Sequence, residues 1–244
     1  MNPRKIKFFY LPLNREVIFC LVVAVILISY SVIEFEDHNG EQTVFNPQAK
    51  AYYQGPTDKQ QISFAINVAW GTKYIPQMLE ILETQGINAT FFLVGNWIEK
   101  FPDLVVEIKE AGHELGNHGY RHHHPQELVD KELIALIKKN EDLIKKTADY
   151  ETKLFAPPYG EVDQRIVKTA HKIGYKTIMW TLDTIDWQRP EAEVIIERIV
   201  PQARNGAIVL MHPTQATVEA LPGLIKGLQE KGYKLVTVTK LLSK

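Results

Sequence analysis

Four of the chain's eight histidines fall within seven positions, in the segment Gly116-Asn117-His118-Gly119-Tyr120-Arg121-His122-His123-His124-Pro125. His118 and His122 are four residues apart, so one helical turn or a tight loop can aim both imidazoles at a single divalent ion. Packing of the pair on the surface or in the core is the competing reading, and a third histidine from another loop tips the balance toward metal. Two histidines completed by an oxygen ligand favour zinc or a similar first-row ion. His123 and His124 are expected to point away, toward solvent or neighbouring packing. His212 closes the apolar run Ala207–Met211, as either a neutral side chain bonded to backbone or a general acid poised near neutrality. Asp183-Thr184-Ile185-Asp186-Trp187 supplies two carboxylates. Asp183 is read as orienting a catalytic histidine or fixing the mouth of the sheet, and Asp186 as capping its loop. Trp70, Tyr120, Tyr159 and Trp187 could offer flat faces to sugar rings or close over the core.

Residues so far apart in sequence need a frame that gathers their loops. Short β-rich runs at Ile62–Val68, Ala89–Val94, His113–Leu115, Lys153–Phe155, Lys176–Trp180, Ala207–Met211 and Lys234–Val236 read as strands. Amphipathic stretches at Ile75–Gln85, Pro102–Ala111, Glu127–Thr147, Asp163–Ile173, Glu191–Ala203 and Thr217–Lys231 read as helices between them. Gly86, Gly112, Gly174, Gly206 and Gly232 follow helix ends, where a left-handed cap is wanted. Such alternation implies a parallel sheet, open or closed into a barrel, with function at the C-terminal ends of the strands. Asn67, His118, His122, Pro157-Pro158-Tyr159-Gly160, Asp183, Asp186 and His212 all follow or end expected strands.

The 244 residues are 45% hydrophobic and 23% charged, a globular composition, with a net charge of −1 that gives no basic field for nucleic acid. One cysteine, Cys20, excludes an internal disulfide framework and a cysteine-based zinc site. Arg4, Lys5, Lys7 and Arg15 oppose Glu16 alone in residues 1–16, a basic tip. Val17–Ile33 follows without charge or proline, at the lower length limit of a spanning helix. The tip is expected in the cytoplasm and the body of the chain outside. A cleaved signal peptide is the alternative, and both readings export the body. Residues 34–58 read as a stalk and 59–244 as one domain.

Together these motifs resemble the polysaccharide deacetylase family, the NodB-homology domain, over about residues 60–243, in the form of its sporulation-type, membrane-anchored members. The resemblance implies an irregular (β/α)7 barrel preceded by one N-terminal transmembrane helix. It implies metal-assisted hydrolysis of N-acetyl groups on a cell-wall or related glycan. His118 and His122 match the metal motif, with zinc the expected ion. Pro158, Tyr159 and Gly160 match the groove motif, Asp183, Asp186 and Trp187 the next, and Leu210 and His212 the acid motif, while Trp70 stands beside the mouth. Two motifs depart from the family pattern. The base position is Asn67, the carboxylate ligand beside it is Val68, and the arginine position is Ala156. A neutral amide cannot take a proton at physiological pH, and general-base catalysis is worth roughly 10²–10⁴-fold. Two readings follow: a slow N-deacetylase with His212, Asp183 and Asn67 at its centre, or a catalytically inactive glycan-binding or scaffold protein. O-acetyl ester hydrolysis on xylan-like glycans is a third. The expected partners are an N-acetylated glycan and the membrane. The chain is expected to be a monomer, its domain extracellular or between spore membranes.

Overall fold

The computed structural model describes Asn14 and residues 49–243. The basic tip, the 17–33 anchor and most of the stalk lie outside the described residues, apart from Asn14. Among the described residues no helix is long and apolar enough to cross a membrane.

The longest strand, Gln61–Val68 (β2), is buried from its second residue onward, as expected of a strand covered on both faces. Around it lie Thr90–Leu93 (β3), Glu114–Asn117 (β4), Leu154–Phe155 (β5), Lys176–Ile178 (β6), Leu182–Asp183 (β7), Ile208–Met211 (β8) and Lys234–Leu235 (β9), with Ala51–Tyr52 (β1) at one edge. The order β1-β6-β5-β4-β3-β2-β8-β7, with β9 added to β2, is parallel throughout. This sheet curls into a half-barrel, which is the form the expected (β/α)7 barrel takes.

All seven expected strands are present; most are trimmed at their ends, while β2 starts one residue earlier and β4 runs on to Asn117. β1 and β7 were not expected, because two residues are too few to show alternation. β1 also corrects the stalk boundary. It pairs with β6, Gln54 bridges Ala207, and the Gly55 N–H donates to the Gly206 carbonyl at 2.8 Å, so the domain begins before residue 59. Pairing with distant backbone made this segment a strand, and its own hydropathy carried no sign of it.

The helices are Ile75–Thr84 (α1), Gly95–Ile98 (α2), Pro102–Glu110 (α3), Asp130–Ala148 (α4), Gln164–Lys172 (α5), Ala192–Ile199 (α6), Gln215–Glu230 (α7) and Val238–Leu242 (α8). α2 and α8 are too short to show a period. α6 stops short of Ala203, since Pro201 has no N–H to continue the ladder. The five capping glycines have φ between +63° and +85°.

Alternation along β2 divides the core. Ile62, Phe64, Ile66 and Val68 pack with the helix layer, including Met78, Ile108, Ile195 and Leu224. Ala65 instead joins Phe92, Ala156, Ile178 and Ile208 in a second cluster, which Val236, Val238 and Leu241 complete. Gly116 on β4 lets Phe92 lie flat, because a Cβ there would come within 2.3 Å of the ring. α8 is held at the opposite end of the strands from the histidines. The Val238 N–H donates to Thr90 Oγ1 at 2.8 Å, and the Thr239 N–H to Glu114 Oε2 at 3.1 Å. Beside them His113 is buried, its Nδ1 accepting from the Ala89 N–H at 3.1 Å and its Nε2 without a partner among the described residues.

Candidate functional site

His212 follows β8 directly. Its backbone N–H donates to Asp186 Oδ2 at 2.6 Å and its Nδ1 lies 2.8 Å from Asp186 Oδ1. Thr217 Oγ1 donates to the same carboxylate at 2.5 Å. Asp186 is fully buried, and an ionised carboxylate only accepts, so the imidazole proton sits on Nδ1 and Nε2 is left free. Thr214 caps α7 by accepting from the Thr217 N–H at 3.0 Å, which brings Thr217 under Asp186. Trp70 stacks on the imidazole with ring centroids 5.7 Å apart and planes 9° from parallel.

This geometry exchanges the expected duties of the two aspartates. Asp183, not Asp186, closes its own loop, its Oδ1 accepting from the Ile185 N–H at 2.8 Å. Asp183 pairs with Leu210 in the sheet, and the turn after it, with Ile185 at φ 53°, carries Asp186 over to His212.

His118 follows β4. It is almost fully buried, with Nδ1 2.7 Å from the Ala156 carbonyl oxygen. A carbonyl accepts only, so Nδ1 carries the proton and Nε2 the lone pair. Burial, reinforced by His122, pushes its pKa down to about 3. His122 meets it edge-on at 5.0 Å between centroids, and burial, then His212 and His124, lowers its pKa as well. His118 and His122 are therefore both held toward the neutral form. Below them, Asn117 donates to the Ile137 carbonyl at 2.9 Å, and its Oδ1 accepts from the Gly119 N–H at 2.8 Å and from Asn140 at 2.9 Å. Sequence reasoning missed this brace and the Ala156 carbonyl. The only signal for the brace was an asparagine in the middle of an amphipathic helix.

Tyr159 sits at φ 58°, a strained conformation for a residue with a side chain. Its ring stacks on His124 at 3.9 Å and meets His122 edge-on at 4.2 Å, and its hydroxyl donates to the His122 carbonyl at 3.3 Å. His124 takes the neighbouring packing expected of it, on this ring, and pairs with Glu161 at 2.6 Å. Pro158 is buried, while Gly160, at φ 69°, lies against Trp180, where a Cβ would come within 2.3 Å. Trp70 and Trp187 are about half exposed and border a groove of about 810 Å³, shared with Lys73, Arg189, Thr214 and Glu219. Pro158, Tyr159 and Gly160 lie outside that groove's lining, and Tyr159 borders the histidines instead.

Asn67 is 6% exposed at the end of β2, level with His212, and its Oδ1 is buried with no hydrogen-bond partner among the described residues. Val68 is fully buried in the helix-side core and offers no ligand atom. Ala156 places a buried methyl group after β5. Among the described residues no group of three His, Cys, Asp or Glu side chains could hold a metal ion. His118 and His122 come together as expected, but two nitrogens without a carboxylate do not fit the divalent-metal site that the resemblance implied.

Comparison with known proteins agrees with this frame. The sequence model of the family described as Polysaccharide deacetylase matches residues 54–178. An uncharacterized protein, YlxY, of Bacillus subtilis is 41% identical over 195 residues, 80% of this chain, which spans 61% of that protein's length. A peptidoglycan-N-acetylglucosamine deacetylase of Bacillus cereus is 30% identical over 98% of this chain and 90% of its own length. Among solved structures, a CE4 family pseudoenzyme from Bacillus anthracis superimposes with a TM-score of 0.79 at 40% identity, over 80% of this chain and 70% of that one. The chain belongs to the polysaccharide deacetylase family.

Proposed function

We propose that this protein is a glycan-binding member of the family that has lost the means of hydrolysing N-acetyl groups, and that its ligand is cell-wall peptidoglycan or a chitin-like glycan. The observation that carries this reading is the pair at the end of β2. Asn67 stands where the base would be, and Val68, fully buried, where the carboxylate ligand would be. A missing base removes roughly 3–5 kcal/mol of barrier lowering. Trp70, stacked on His212, and Trp187 across the same groove keep exposed faces for sugar rings. Support also comes from the similarity to a protein described as a pseudoenzyme.

The intact Asp186–His212 pair favours a second reading, slow hydrolysis with His212 protonating the leaving amine. We place the domain outside the cytoplasmic membrane or between spore membranes, as a monomer held by the 17–33 segment with the N-terminus inside.

Acetate release from N-acetylated glycans, measured beside metal content and binding to the same glycans, separates the two readings. Binding without acetate or stoichiometric metal is the expected result. Metal-dependent acetate release that His118→Ala abolishes would overturn it.

A further inference from the structure

Resting on the glycan-binding reading, we infer that the opening between His118, His122 and His212 selects a free 2-amino sugar, carried as its ammonium, over the N-acetylated sugar. The hydrogen-bond polarity of the opening points this way. The Ala156 carbonyl fixes the proton of His118 on Nδ1, and the buried Asp186 carboxylate does the same for His212. Both rings therefore keep an acceptor, Nε2, outside those contacts. His122 is in edge contact with His118 at 5.0 Å. Asn67, level with His212 on the neighbouring strand, carries a further acceptor, Oδ1, that lacks a donor.

An ammonium group brings three N–H donors to such a set. An acetamido group brings one N–H, and its carbonyl needs a donor of its own. The Asp186 carboxylate behind His212 adds an acidic group on that side. Ala156 contributes a methyl group and no competing cation. Trp70, stacked on His212 and 46% exposed, offers a face to the ring that carries the amine. The class of reaction that supplies this ligand is hydrolysis of the amide of an N-acetylated glycan, which releases acetate and leaves the amine. The protein would then recognise the product of that reaction and leave its catalysis to others.

The test is calorimetric titration of the full chain, in detergent and with chelator, using a tetramer of glucosamine and a tetramer of N-acetylglucosamine at slightly acidic pH. The glucosamine tetramer is expected to bind about tenfold more tightly or better, the worth of one hydrogen bond to a charged group. His118→Ala should erase most of that preference, bringing the two tetramers to similar affinities. His212→Ala, at a partly exposed side chain, makes the same test should the buried substitution impair folding. Equal affinities, or tighter binding of the acetylated tetramer, would overturn the inference and leave the glycan-binding reading standing. A preference that survives both substitutions and vanishes in high salt would be bulk attraction between a polycation and an acidic surface, and would overturn it too. Binding of neither tetramer would remove the inference and the reading together.

Discussion

Replacing His113 with phenylalanine should change how stability depends on pH. His113 is 3% exposed, and burial lowers its pKa from 6.5 to about 4. Protonation would place a charge in the core and also remove the Nδ1 acceptor from the Ala89 N–H. Above pH 6.5 the folded and unfolded chains hold this imidazole neutral alike, so it contributes no pH dependence there. As pH falls from 6.5 toward 4, the unfolded chain takes up the proton and the folded chain does not, so stability is lost. A shift from 6.5 to about 4 corresponds to about 3 kcal/mol, complete below pH 4. In His113→Phe that loss is absent, while the unpaired Ala89 N–H costs about 1–3 kcal/mol at every pH. Wild type should therefore be the more stable protein at pH 7, and the gap should close or reverse by pH 4. Urea unfolding midpoints across this range at constant ionic strength measure the gap directly, with other titrating groups common to both proteins. Parallel curves for the two proteins would refute the reasoning.

Other perturbations test the site. Restoring the family's residues through Asn67→Asp, Val68→Asp and Ala156→Arg together should raise acetate release from N-acetylglucosamine oligomers by roughly the 10²-fold or more that a general base supplies, with zinc bound in the purified variant. Asp186→Ala leaves the His212 N–H, the His212 Nδ1–H and the Thr217 hydroxyl without their shared acceptor. It should cost about 2–4 kcal/mol in denaturant unfolding and broaden the His212 ring signals in NMR spectra. Gly160→Ala places a Cβ against Trp180 at φ 69° and should lower stability by more than about 1 kcal/mol, seen as a lower thermal midpoint. Phe92→Ala opens a cavity inside the curl of the sheet and should cost about 3–5 kcal/mol.

The histidine pair at a spacing of four and His212 at the end of an apolar run were legible in the sequence, because local periodicity shows where a strand ends and a loop begins. The departures at Asn67, Val68 and Ala156 were legible as well, as residue types that lack the needed proton acceptor, ligand or charge. The same local patterns supplied seven of the strands and six of the helices. β1 and β7 escaped, since two-residue strands exist only through their partners across the sheet. The aspartate that holds His212 escaped for a related reason. Asp183 and Asp186 are equivalent on composition, and the left-handed turn at Ile185 decides which one reaches across to β8.

The sequence by itself therefore determined the chemistry available at the mouth of the sheet and the chemistry missing from it, because both depend on side-chain type. Only the tertiary structure decided which acceptor each imidazole faces. Nδ1 of His118 on the Ala156 carbonyl and Nδ1 of His212 on Asp186 are contacts across 38 and 26 residues of chain, fixed when the curl of the sheet brings separate strand ends together. Those two contacts set where the protons sit, and so the polarity of the opening.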